Sequence, residues 1–75
     1  MAVITIDVDS TKGIVLLQGN IDKLANNRFA VRYMKDFLHP AFDKDCISIP
    51  IGDADPSMVL SDVRAMLHKY GFEGQ

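Results

Sequence analysis

Three aspartate pairs have the spacing that acid–base catalysis or a cation site would use. The partners are two residues apart in Asp7 and Asp9, in Asp43 and Asp45, and in Asp53 and Asp55. Each pair lies at or beside a segment with turn composition, where aspartate side chains accept hydrogen bonds from nearby backbone N–H groups. We interpret the pairs as turn and cap residues, with a weak cation site at the second or third pair as the alternative.

The chain has one cysteine, Cys46, and two histidines, His39 and His68, that could supply a nucleophile, a base or metal ligands. Both histidines fall on predicted helices. The sequence has no C-x-x-C or H-x-x-x-H spacing, which are local patterns typical of metal ligands. The small apolar neighbours of Cys46 favour a buried structural thiol over a nucleophile. The sequence therefore predicts no catalytic residue, no metal site and no cofactor.

A cationic stripe is the feature with the clearest binding chemistry. At 100° per residue, a helix over 23–38 gathers its basic side chains on one edge and its apolar side chains on the opposite half. The stripe consists of Arg28, Arg32, Lys35 and His39. Lys12, Lys23 and Lys44 extend it, and Phe29 or Tyr33 at its border could stack on a base. A plain solvated helix face is the alternative.

Four further segments must position these residues. Alternation over 2–18, interrupted by a turn at Gly13, predicts an antiparallel hairpin. Residues 41–51 predict a short extended piece and a strand that is at a sheet edge or ends at Pro50. Asp55 and Pro56 begin a second amphipathic helix that Gly71 ends, with Phe72 packing back onto it. Residues 73–75 are predicted to be a flexible tail.

The expected fold is α+β: a small antiparallel sheet built from a β-hairpin and a strand or second short hairpin, with two helices packed on one face. Residues 1–72 form a single domain in this interpretation. With 75 residues and a net charge of −2, the chain fits one soluble domain and excludes a histone-like charge balance. A single cysteine and the lack of a long apolar run favour the cytoplasm over a membrane or an oxidising compartment.

The order of these segments resembles the HARP-like domains that precede the motor in superfamily 2 DNA helicases, including annealing helicases and a phage recombination helicase. In those domains a helix with a lysine near its end leads to an aromatic-Asp turn, a Trp-x-hydrophobic-Pro-Leu strand and a last helix that ends in Gly-Phe. The matching residues are Lys35, Phe42, Asp43, Ile47, Ile49, Pro50, Ile51, Gly71 and Phe72, with Ile47 in the place of the tryptophan. The resemblance implies a noncatalytic domain that helps a helicase engage single-stranded or branched DNA.

Two functions follow as hypotheses. The first is a noncatalytic DNA-binding accessory module that uses the cationic stripe on phosphates. The second is a protein-interaction module without nucleic-acid binding, which docks on a helicase motor domain or forms a homodimer. An exposed sheet edge at the Pro50 strand, or a second apolar sheet face built from Val15 and Leu17, would favour the second hypothesis.

Overall fold

The computed structural model describes residues 2–75 as one mixed sheet with three helices. The strands are β1 (Ala2–Asp9), β2 (Ile14–Gly19), β3 (Ala41–Phe42), β4 (Ile47–Pro50) and β5 (Phe72–Gly74). The helices are α1 (Ile21–Ala25), α2 (Arg28–Phe37) and α3 (Pro56–Lys69). The sheet order is β3-β4-β2-β1-β5, and every pairing is antiparallel except that of β5 with β1. The predicted α+β class is confirmed.

The hairpin of β1 and β2 forms the centre of the sheet, as predicted. Ile6 lies opposite Leu17, and Gly13 turns the chain with a φ of 65°. Gly19 then ends β2 with a φ of 97° at a point where a Cβ atom would lie 2.9 Å from the carbonyl oxygen of Val3. Only glycine fits this close approach of two backbones, so it defines where the hairpin gives way to α1.

Strand β4 ends at Pro50, which confirms one of the two positions predicted for this residue. The strand lies between β2 and β3, but β3 pairs only with Ile47 and Ser48. Pro50, which has no N–H to donate, therefore lies beyond the β3 pairing.

Helices α1 and α2 replace the single helix predicted over 23–38. The chain breaks at Asn26 and Asn27, and the Asn27 side-chain oxygen accepts hydrogen bonds from the N–H groups of Phe29 (3.2 Å) and Ala30 (3.1 Å). This N-cap starts a new helix at Arg28, whereas α1 has no side-chain cap. The single-helix prediction was wrong because hydrophobic spacing continues across a break that the side chain of Asn27 stabilises locally.

Residues 73–75 are not a free tail. They continue β5, where the N–H of Gln75 donates to the carbonyl of Ile4 and the N–H of Ile6 donates to the carbonyl of Gln75, both at 2.8 Å. Gly71, with a φ of 85°, ends α3 as predicted and turns the chain so that Phe72 is buried. The tail prediction was wrong because α3 serves as the crossover that parallel strands need.

One apolar core lies between the sheet and all three helices. The strands contribute Ile4, Val15, Leu17, Ile47 and Ile49, each fully buried. Val15 and Leu17 therefore belong to the core and do not build a second apolar sheet face, which corrects that expectation. Among residues 2–75, no helix has the length and apolar content needed to cross a bilayer.

Replacing Asn27 with alanine should lower the free energy of unfolding by about 1 kcal/mol, because two N–H groups of α2 lose their cap. Asn26→Ala is the matched control, since Asn26 uses its backbone N–H to bond the carbonyl of Asp22 at 3.0 Å. Urea unfolding followed by circular dichroism measures both. Equal midpoints for the two variants would contradict the capping role.

The pairing of β5 can be tested at one atom. Gln75→Pro removes the N–H that donates to Ile4, and we expect a loss of about 1 kcal/mol of unfolding free energy. Gln75→Ala keeps this N–H and should unfold like the original chain. If proline and alanine at this position give the same stability, the last residues do not pair with β1.

Candidate nucleic-acid interface

Helix α2 is oriented by its buried residues. Ala30 and Met34 are fully buried in the core, so the side of α2 that carries Arg28, Arg32 and Lys35 faces solvent. The Arg32 side chain is 85% exposed and lies 3.8 Å from the carboxylate of Asp36. An exposed pair at this distance contributes little and leaves the guanidinium available to other anions. The three predicted cations of the stripe therefore share one accessible surface.

Two phenylalanines accompany these cations on α2. Phe29 is 64% exposed and Phe37 is 67% exposed. Phe37 was expected on the apolar half of the helix, and its exposure corrects that expectation. Phe37 is the last residue of α2, and the buried residues of this helix are Ala30 and Met34. Both rings are therefore accessible to a ligand.

Phe29 lies at a shallow surface pocket of about 320 Å³ that Arg28, Phe29 and Arg32 line. The guanidinium carbon of Arg28 is 5.3 Å from the centre of the Phe29 ring, within the range of a cation–π contact. The pocket thus combines a flat apolar ring with two guanidinium groups that are permanently charged. This chemistry suits a ligand that is both aromatic and anionic.

A second group of aromatic and cationic side chains joins α2 to the end of α3. The Tyr33 ring lies 4.9 Å from the Phe37 ring and 6.3 Å from the Tyr70 ring, measured between centroids. The ammonium of Lys69 lies 5.7 Å from the Tyr33 ring and 5.6 Å from the Tyr70 ring. Lys69 was not predicted as a site residue, because its partner Tyr33 belongs to a helix more than thirty positions away.

Lys35 extends the surface toward the sheet edge. Its ammonium lies 6.0 Å from the centre of the Phe42 ring on β3, and Phe42 is 42% exposed. We define the α2 surface as the cations and rings of these three groups. It consists of Arg28, Arg32, Lys35, Lys69, Phe29, Tyr33, Phe37, Phe42 and Tyr70.

The other predicted stripe residues lie on different elements. His39 is outside α2, which ends at Phe37, and its φ of 52° places it in the left-handed region, so its predicted place on a helix edge was wrong. Lys12 is in the turn between β1 and β2, Lys23 is on α1, and Lys44 is in the turn between β3 and β4. The helical periodicity that grouped Arg28, Arg32 and Lys35 does not extend to these four.

Charge is divided between the layers of the fold. The three helices carry six cations, Lys23, Arg28, Arg32, Lys35, Arg64 and Lys69, against three carboxylates, Asp22, Asp36 and Asp62. The charged residues of the five described strands are Asp7, Asp9 and Glu73. A chain with a net charge of −2 therefore has a net cationic helical layer.

The aspartate pairs contain residues occupied in local backbone bonds, as the turn interpretation predicts. Asp9 accepts from the N–H of Lys12 at 3.1 Å, and Asp43 accepts from the N–H of Lys44 at 2.7 Å. Asp55 caps α3 by accepting from the N–H of Ser57 at 3.0 Å. Within residues 2–75 no three His, Cys, Asp or Glu side chains are grouped to hold a metal ion.

Cys46 lies just before β4 and is only partly buried, which corrects the expectation of a buried thiol. Ile47, the next residue, is fully buried and points into the core. Because side chains alternate along an extended chain, the thiol lies away from the core that Ile47 enters.

Comparison with known proteins finds no matching family model, no matching curated protein and no matching solved structure.

Proposed function

We propose that this chain is a noncatalytic DNA-binding accessory module whose α2 surface binds single-stranded or branched DNA. The observation that carries the proposal is the exposed Phe29 ring, which lines one pocket with Arg28 and Arg32. An arginine binds phosphate through its planar fork, and an aromatic ring offers a stacking platform for a base. A nucleotide carries both a phosphate for the arginines and a base for the ring.

The exposed rings favour unpaired over paired DNA. In a duplex, each base is stacked between its neighbours and cannot lie on a protein ring without being unstacked. Phe29 and Phe37 are available for stacking without any change in the domain, since both are about two-thirds exposed. Single strands, and the unpaired arms of branched DNA, supply bases that are free to use them.

The local charge of the helical layer supports contact with phosphates despite the acidic total. Arg28, Arg32, Lys35 and Lys69 are the cations of the α2 surface, and Asp36 is the acidic residue paired with one of them. Four phosphate contacts give a modest affinity that depends strongly on salt. A modest affinity of this kind suits a module that assists a larger DNA-binding protein.

The proposed partner is a helicase motor, by resemblance to HARP-like domains, and the proposed location is the cytoplasm. The sequence shown has no G-x-x-x-x-G-K-[ST] phosphate loop, so the motor that it would assist is a separate domain or chain. Asp9, Asp43 and Asp55 are engaged in turns and a cap, which supports a binding role over a catalytic one.

Binding to a single-stranded oligonucleotide should weaken with salt. With about four phosphates neutralised, the slope of log K against log[salt] should be roughly −3, since each contact contributes about −0.7 on a single strand. Arg32→Glu should flatten the slope and weaken binding. Arg64→Glu is the matched control, because Arg64 lies on α3 beside Gly74 of the β5 edge. Affinity that ignores salt, or equal losses in both variants, would contradict the proposal.

Stacking can be separated from charge with a second pair of variants. Phe29→Ala should cost about 1–3 kcal/mol of binding free energy for a single strand and much less for a duplex of the same sequence. Met58→Ala is the control, because Met58 on α3 is also 64% exposed. Fluorescence anisotropy of a labelled strand measures both. An unchanged affinity in Phe29→Ala would show that the ring does not receive a base.

A further inference from the structure

Within residues 2–75, no helix covers one of the two faces of the sheet. Strand residues alternate in direction, and the buried residues of α1, α2 and α3 all join the core on the Ile4 and Leu17 side. We call the opposite side the open face. Its central positions, read across the paired strands, are Val3, Thr5, Asp7, Asp9, Ile14, Leu16, Gln18, Ser48 and Glu73.

The open face combines apolar and acidic side chains. Leu16 lies between Asp7 on β1 and Ser48 on β4, and Ile14 is paired with Asp9. Both apolar residues are partly exposed. All the charged residues of the described strands are carboxylates, and all three lie on this face. The open face is thus an acidic surface with an apolar centre.

The α2 surface has the complementary character. It presents cations beside exposed rings, and it lies on the other side of the molecule because Ala30 and Met34 fix α2 against the sheet from the core side. An apolar centre with carboxylates on one face matches phenylalanines with arginines on the other in both hydrophobicity and charge. The two halves of an interface are therefore present on one chain, where they cannot meet.

We propose that a second copy of this chain docks its α2 surface on the open face. The contact pairs Arg28, Arg32 and Lys35 of one copy with Asp7, Asp9 and Glu73 of the other. It also brings Phe29, which lines one pocket with Arg28 and Arg32, against Leu16. Charge opposes the symmetric alternatives, because two open faces would bring carboxylates together and two α2 surfaces would bring cations together. The interface is heterologous, so it adds copies head to tail.

This association uses the same side chains as the proposed DNA contact, but it requires no nucleic acid. In the assembly, the carboxylates on the open face of one copy contact the cations of the α2 surface of the next copy. These are the cations that would contact phosphates in the DNA complex. A single strand in excess should therefore disperse the assembly. Self-association and DNA binding are measured separately, so either can fail without the other.

Sedimentation velocity of the full chain, without nucleic acid, tests the contact. From micromolar to millimolar protein in low salt, the weight-average mass should rise to at least about twice that of the monomer. It should return to the monomer value in about 1 M salt, where the Debye length is only about 3 Å. Asp7→Lys blocks the open face and Arg32→Glu blocks the α2 surface, so each variant alone should stay monomeric.

The mixture of these two variants identifies the heterologous arrangement. The α2 surface of Asp7→Lys and the open face of Arg32→Glu are both intact, so mixing them in equal amounts should restore association. Asp62→Lys makes the same charge change on α3, outside both surfaces, and should associate like the original chain. Circular dichroism confirms that each variant is folded. A monomeric original chain in low salt, or self-association of Arg32→Glu alone, would overturn the proposal.

Discussion

The structure depends on the burial of a single apolar layer between one face of the sheet and three short helices. Ile4, Val15, Leu17 and Ile47 enter this layer from the strands, and Met34 enters it from α2. A chain of this size has few apolar residues beyond those that one such layer requires. Within the described residues 2–75, the opposite sheet face therefore remains uncovered, and the outer side of α2 carries cations and rings.

The two uncovered surfaces differ in charge because they come from different elements. The described strands contribute only carboxylates, whereas the helices carry twice as many cations as carboxylates. The core separates these sets, so a mildly acidic protein has one acidic side and one cationic side. Net charge alone would have argued against nucleic-acid binding. The proposed DNA contact and the proposed association of two copies both depend on its distribution.

The candidate site was predictable where helix geometry alone determines it. A rotation of 100° per residue groups Arg28, Arg32 and Lys35 whatever the rest of the fold does. The same rule placed His39 on the stripe and Phe37 in the core, and both placements were wrong. Both residues lie at the end of α2, since Phe37 is its last residue and His39, with a φ of 52°, lies beyond it. Lys69 joins the site through Tyr33 and Tyr70, a contact between helices that helix periodicity does not contain.

The sequence by itself determined the local elements: the hairpin with its turn at Gly13, the end of a strand at Pro50, and α3 between its Asp55 cap and Gly71. Each of these depends on side-chain alternation, φ preference or a hydrogen bond within a few residues. Only the tertiary structure decided that the last residues pair with β1 and that one sheet face stays open. These features join residues near opposite ends of the chain, such as Ile4 and Gln75, and backbone bonds between distant strands leave no pattern in a local window of sequence.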